Sequence, residues 1–91
     1  MAVVHIPSPL RRYTNNLSKV EAAGATIGEI IASLESQYPG VKSRLCEADG
    51  QIKRYVNVFV NEDEIRTLQG IESAVGASDK VSIIPAMAGG K

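Results

Sequence analysis

The sequence predicts an α+β domain in which one amphipathic helix lies across a small mixed sheet. Three observations predict it. Residues 26–38 carry helical spacing with a start and a stop signal. Residues 54–60 alternate, with Val56, Val58 and Val60 on one side and Tyr55, Asn57 and Phe59 on the other. The whole chain runs in the order strand, strand, helix, strand, short strand, strand. A helix with one apolar stripe and a sheet with one apolar face bury both by packing together. At 91 residues there is room for one such core.

The first element is Ala2-Val3-Val4-His5-Ile6, short and β-branched, which reads as a strand. Pro7 and Pro9 end it, because neither can donate a ladder hydrogen bond. Asn15-Asn16 marks a turn, and residues 19–23 return as a second strand antiparallel to the first, closed by Gly24. Thr26 is a good N-cap with Glu29 three residues on, a capping box. Ile27, Ile30, Ile31, Leu34 and Tyr38 then follow one helical face for about three turns, until Pro39-Gly40 stops the helix. Asp49-Gly50 turns the chain into a strand expected over residues 51–61. The polar run 61–64 is expected to be a turn, residues 65–68 a short edge strand, and Gln69-Gly70 another turn. Val81 to Ile84 form the last strand, with Val81 and Ile83 on one side and Ser82 and Ile84 on the other, ended by Pro85. This order fits the β-grasp arrangement. A ferredoxin-like fold would need a second helix, and residues 70–78 are too short and too broken by Gly76 to supply a good one.

Composition narrows the function. Ten basic and ten acidic residues give no net charge, whereas nucleic-acid binders draw much of their affinity from a basic surplus; Arg11-Arg12 is only a small basic pair. No apolar run approaches the roughly 20 residues that span a bilayer. Residues 1–6 resemble neither a signal nor a transit peptide, so a cytoplasmic location is expected. The single cysteine, Cys46, has no partner for an internal disulfide. It has no evident activating base beside it and reads as a structural or incidental thiol. The single histidine, His5, cannot build a metal site alone and reads as a strand residue with a hydrogen-bond partner. His5 therefore gives no ground to expect a metal site.

After Pro85 come Ala86-Met87-Ala88-Gly89-Gly90-Lys91, small residues with nothing bulky to pack except Met87. The expected organisation is a β-grasp domain over residues 1–85 and a flexible C-terminal tail over 86–91. Taken alone, the tail reads more readily as a featureless terminus than as a functional one. Its neighbours change that. Residues 55–66, Tyr-Val-Asn-Val-Phe-Val-Asn-Glu-Asp-Glu-Ile-Arg, resemble the central strand and turn of the ThiS/MoaD ubiquitin-like sulfur carriers. Residues 79–90 resemble their closing strand and Gly-Gly tail, and Thr26 to Ile31 match their helix. The resemblance covers essentially the whole chain. It is greatest to the CysO branch, which carries sulfur for cysteine synthesis and shares the longer chain and the Ile-Pro-Ser-Pro-Leu-Arg opening.

The resemblance implies a protein co-substrate rather than an enzyme. In the family an ATP-dependent activating enzyme adenylates the terminal glycine carboxylate, here Gly90, and the acyl-adenylate becomes a thiocarboxylate. In the cysteine branch the acceptor looks like an aminoacrylate formed from O-phosphoserine on a pyridoxal-phosphate synthase, and a metalloprotease releases cysteine from the adduct. The ATP, pyridoxal phosphate and metal thus belong to the partners. Gly89 and Gly90 lack Cβ atoms and can enter a narrow channel. Ordering the tail costs entropy, which docking of the body must offset. The expected docking surface is the sheet face away from the helix, with Tyr55 and Phe59 as aromatic anchors beside Ala86, Met87 and Ala88; Phe59 as a core residue stays open. One departure stands out. Lys91 follows Gly90, so the chain is expected to be a precursor from which a peptidase removes one residue, unless Lys91 is foreign to the natural chain. Other readings stay open: a carrier or small subunit for molybdopterin synthesis, a carrier for thiamin synthesis, or a ubiquitin-like protein modifier.

Overall fold

The computed structural model describes residues 1–85. Five strands form one sheet: β1 (Ala2–His5), β2 (Lys19–Ala22), β3 (Val56–Val60), β4 (Asp63–Glu64) and β5 (Lys80–Pro85). Their spatial order is β2-β1-β5-β3-β4. The β1–β5 pair is parallel and the other pairs are antiparallel. Helix α1 (Ile27–Gln37) packs across one face of this sheet, and a short helix, α2 (Val41–Leu45), follows it. This is the β-grasp arrangement.

Helix α1 starts where its capping chemistry dictates. Thr26 Oγ1 accepts from the Glu29 amide at 3.2 Å, and the Glu29 carboxylate accepts from the Ala25 amide at 2.7 Å, so two orphan amides are satisfied reciprocally. Its stripe of Ile27, Ile30, Ile31 and Leu34 is buried and meets Val4, Val58, Val81 and Ile83 of the sheet. Burying four such side chains contributes on the order of 6–12 kcal/mol before chain entropy is counted. Strand β3 is buried at alternate positions, with Val56, Val58 and Val60 inward. The alternation read from the sequence is therefore the real core face, and Phe59, on the other face, is not part of the core.

Three elements differ from expectation. The expected strand 51–61 begins only at Val56; Ile52 instead bridges Cys46 across a turn. Residues 65–68 are not an edge strand but a 3₁₀ turn (Ile65–Thr67), because buried Ile65 turns inward under the sheet edge. The edge strand is Asp63–Glu64, within the run expected to be a turn. Its two charged residues suit an exposed edge, where they discourage further pairing. Helix α2 has no counterpart in the sequence reading. Gly40 begins it at φ +104°, a conformation glycine adopts without strain, and the Glu35 carboxylate accepts from the Gly40 and Lys42 amides at 3.2 and 3.0 Å. Asn15 and Asn16 lie at positive φ, in the turn expected there. No helix among the described residues is long and apolar enough to cross a membrane.

Candidate functional site

Ala86, Met87, Ala88, Gly89, Gly90 and Lys91 lie outside the described residues, so the site is built from the sheet face that the chain leaves at Pro85. Because α1 covers one face, the other carries the outward residues of every strand. The strand registers align them into rows. His5 lies opposite Lys19 on β2 and Ser82 on β5, and Ser82 lies opposite Phe59, which lies opposite Glu64 on β4. The next row toward Pro85 pairs Ile84 with Asn57. Ile84 is 50% exposed and Tyr55 48%, while Phe59 is half-buried. Ile84 is a diagonal neighbour of Phe59, a spacing that an aromatic ring can bridge.

Tyr55 precedes β3 in a bend that is pinned from the side. Arg66 donates to the carbonyls of Lys53 and Val56 at 2.8 and 2.9 Å, to Asn57 Oδ1 at 3.0 Å and to the Glu64 carboxylate at 3.2 Å. Strand β4 reaches only Phe59 and Val60, so this guanidinium holds the backbone that β4 leaves uncovered. Lys53 Nζ lies 5.8 Å from the centroid of the Tyr55 ring.

On the other side of β5, at the same Pro85 end of the face, a groove of about 390 Å³ opens between β1 and β5. His5, Pro7, Ser8, Arg11, Ser82, Ile84 and Pro85 line it. Arg11 enters through a 3₁₀ turn (Ser8–Tyr13) that the Pro7-Ser8-Pro9 sequence initiates, and its Nε donates to the Ile6 carbonyl at 3.0 Å. His5 makes no side-chain hydrogen bond among the described residues, against expectation. Burial, then Lys80 and Lys19, lower its pKa. The reason is geometric: its neighbours on the face are a lysine and a serine from adjacent strands, and Ser82 forms no hydrogen bond to it. Cys46 is buried behind α2, and burial raises its thiol pKa, as befits a structural thiol. Among the described residues no group of His, Cys, Asp and Glu is placed to hold a metal ion.

The sequence reading placed Tyr55 and Phe59 but missed Arg11, His5 and Arg66 as parts of this face. Arg66 acts mainly on backbone carbonyls, which leave no trace in sequence. The groove is assembled from segments some 75 residues apart.

Comparison with known proteins agrees with this geometry. Residues 4–90 match the model of the ThiS family. The chain is 39% identical over 89 residues to the sulfur carrier protein CysO of Mycobacterium tuberculosis, covering 96% of either chain. It is 44% identical over 66 residues to small archaeal modifier protein 3 of Haloferax volcanii, covering 72% of this chain and 71% of that one. A chain in the crystal structure of the Amycolatopsis orientalis BexX/CysO complex superposes with a TM-score of 0.93 at 39% identity, covering 96% of this chain and 97% of that one. With the family match running nearly end to end over a β-grasp sheet whose last strand leads into Gly89-Gly90, the chain belongs to the ThiS family.

Proposed function

We propose that this protein is a sulfur carrier for cysteine biosynthesis, working through a thiocarboxylate on Gly90. The observation that carries the reading is the 39% identity to the sulfur carrier CysO across 96% of both chains. The family match supports the position of the working group, since it extends through Gly90 and leaves Lys91 outside. The relatives are carriers and modifiers, so this chain is the protein acted on and not the enzyme.

The chemistry follows from the terminus. A carboxylate is a poor electrophile until one oxygen becomes part of a good leaving group. An activating enzyme supplies this by letting the Gly90 carboxylate attack ATP, with loss of pyrophosphate. A sulfide-level sulfur nucleophile then attacks the acyl carbon, forming the C–S bond as AMP leaves with the C–O electron pair, and the thiocarboxylate results. While Lys91 is attached, Gly90 ends in an amide and offers no carboxylate, so removal of Lys91 comes first. A metalloprotease that cleaves the later glycyl–cysteine bond is suited to both cuts, because each joins Gly90 to an amino acid. The synthase partner holds pyridoxal phosphate, the activating enzyme uses ATP, and this chain binds no cofactor. ATP-dependent activation places the work in the cytoplasm. Tyr55 and Phe59 anchor the body while Ala86 to Gly90 thread toward the partner's centre.

Intact-mass measurement of the untagged protein from its native host tests this. Loss of one lysine residue, together with exchange of one oxygen for sulfur, is the expected result. Full-length protein with no processed species under sulfur demand would refute it. Equal adenylation rates for the full chain and a Gly90-terminated variant would sink the precursor step alone.

A second reading, a protein modifier joined through Gly90 to lysines of other proteins, is favoured by the 44% identity to small archaeal modifier protein 3. Conjugates of higher mass in extracts of the host distinguish it.

A further inference from the structure

The open face of the sheet is electrically lopsided. Its β4 edge is neutralised, because Glu64 is paired with Arg66 at 3.2 Å, the only ion pair among the described residues. Its β2–β1 side has no such pairing. Lys19, His5 and Lys80 stand on the outward side of β2, β1 and β5, and Arg11 lines the groove beside them. Among the outward residues of β2, β1 and β5 the one carboxylate is Glu21, which shares the row of Val3 with Lys80 and lies one row from His5 and Lys19. Arg11 uses Nε on the Ile6 carbonyl, and its two terminal nitrogens have no hydrogen-bond partner among the described residues. A guanidinium fixed in this way presents a planar fork whose natural complement is a carboxylate. The hydroxyls of Ser8 and Ser82 line the same groove and offer further donors. Pro85, the last described residue, lines it as well, so the groove borders the point where the chain leaves the described sheet.

We propose that this groove receives an acidic segment of the activating enzyme, one carboxylate forking onto Arg11 with Lys19 and His5 at its rim, while Ile84 and Phe59 make the adjoining apolar contact. This rests on the sulfur-carrier reading and names the chemistry of the first partner. Charge placed at a docking rim governs encounter more than the chemical step, so the effect falls on KM for the carrier and leaves kcat unchanged.

The test is ATP–pyrophosphate exchange by the activating enzyme, with the Gly90-terminated protein as varied substrate. Arg11→Glu and Lys19→Glu are each expected to raise KM, Arg11→Glu by about tenfold, and added salt should raise KM for the wild type but less for either variant. Lys42→Glu, on α2 away from the face, should leave KM unchanged. Lys19 makes no side-chain hydrogen bond among the described residues, so Lys19→Glu decides the matter if Arg11→Glu lowers the melting temperature. Exchange that is insensitive to salt and to Lys19→Glu overturns the acidic-partner proposal and leaves the carrier reading standing. Absence of exchange with the wild type removes both.

Discussion

Replacing Arg66 with alanine should loosen the bend that carries Tyr55 without touching the apolar core. The cost can be worked from its partners. The bond to the Val56 carbonyl is charge-assisted and partly buried, worth about 1.5 kcal/mol. The bonds to Lys53 O and Asn57 Oδ1 are exposed and together contribute about 1 kcal/mol. The ion pair with Glu64, on an arginine whose side chain is 39% exposed, adds no more than about 0.5 kcal/mol. The expected loss is therefore about 2–3 kcal/mol. For a chain of this size the urea dependence is on the order of 1 kcal/mol per molar, so the unfolding midpoint should fall by about 2–3 M. Arg66→Lys sharpens the test. It keeps the charge and the attraction to Glu64, but a single ammonium cannot reproduce a planar fork whose one terminal nitrogen holds the two carbonyls while the other holds Asn57 Oδ1 and the Glu64 carboxylate. It should recover about 0.5 kcal/mol and no more. Loss below about 0.5 kcal/mol in the alanine variant, or full rescue by lysine, would refute the claim that geometry rather than charge pins the bend.

Four further outcomes are expected. Thr26→Ala removes the cap on α1 and should cost about 1 kcal/mol, read from a denaturation midpoint; an unchanged midpoint would mean that Glu29 caps the helix alone. Gly24→Ala places a Cβ 2.8 Å from Glu29 Cβ and 2.9 Å from the Ile30 nitrogen, an overlap costing about 1–3 kcal/mol, visible as a lowered melting temperature. Leu34→Ala empties a fully buried position and should cost about 3 kcal/mol, again by urea titration. Folding lowers the pKa of His5, so the unfolded chain binds more protons between the two values. Stability contributed by neutral His5 is present above about 6.5 and is lost as pH falls from there through the lower folded pKa. His5→Gln should abolish that part of the pH profile, and an identical profile in the variant would show that other groups cause it.

Elements that bury side chains at a regular period were legible in the sequence. Helix α1 announces itself by four aliphatic residues on one stripe and a capping box, and β3 by three inward valines. Helix α2 was not legible, since five residues complete little more than one turn and the Pro39-Gly40 before it, the stop signal of α1, reads as the start of a loop. It exists because Val41 and Leu45 are buried against the core and because Glu35, on the preceding helix, reaches its first amides. The edge strand was misplaced by two residues for a related reason. Ile65 looks like a strand residue, yet it is buried from a 3₁₀ turn, while Asp63 and Glu64 pair through backbone alone. Gly90 was singled out by motif alone, through Gly89-Gly90 after a closing strand, and lies outside the described residues. The groove was not singled out, because Arg11 meets Ser82 only once the parallel β1–β5 pairing brings the two ends of the chain together.

That pairing also explains why a carrier suits this fold. Strand β5 is bonded on both sides, to β1 in parallel and to β3 antiparallel, so the chain leaves for Gly90 from the middle of the sheet and not from its edge. An edge strand opens at low cost, whereas a central strand cannot detach without breaking two ladders. A partner that draws on the terminus therefore pulls against the best-anchored element of the domain. The outward residues beside the exit (His5, Ser82, Phe59, Ile84) belong to β5 or the two strands bonded to it, and they keep a fixed position relative to Pro85. On the proposed reading, docking of the body then sets how far from Pro85 a partner must reach to act on Gly90.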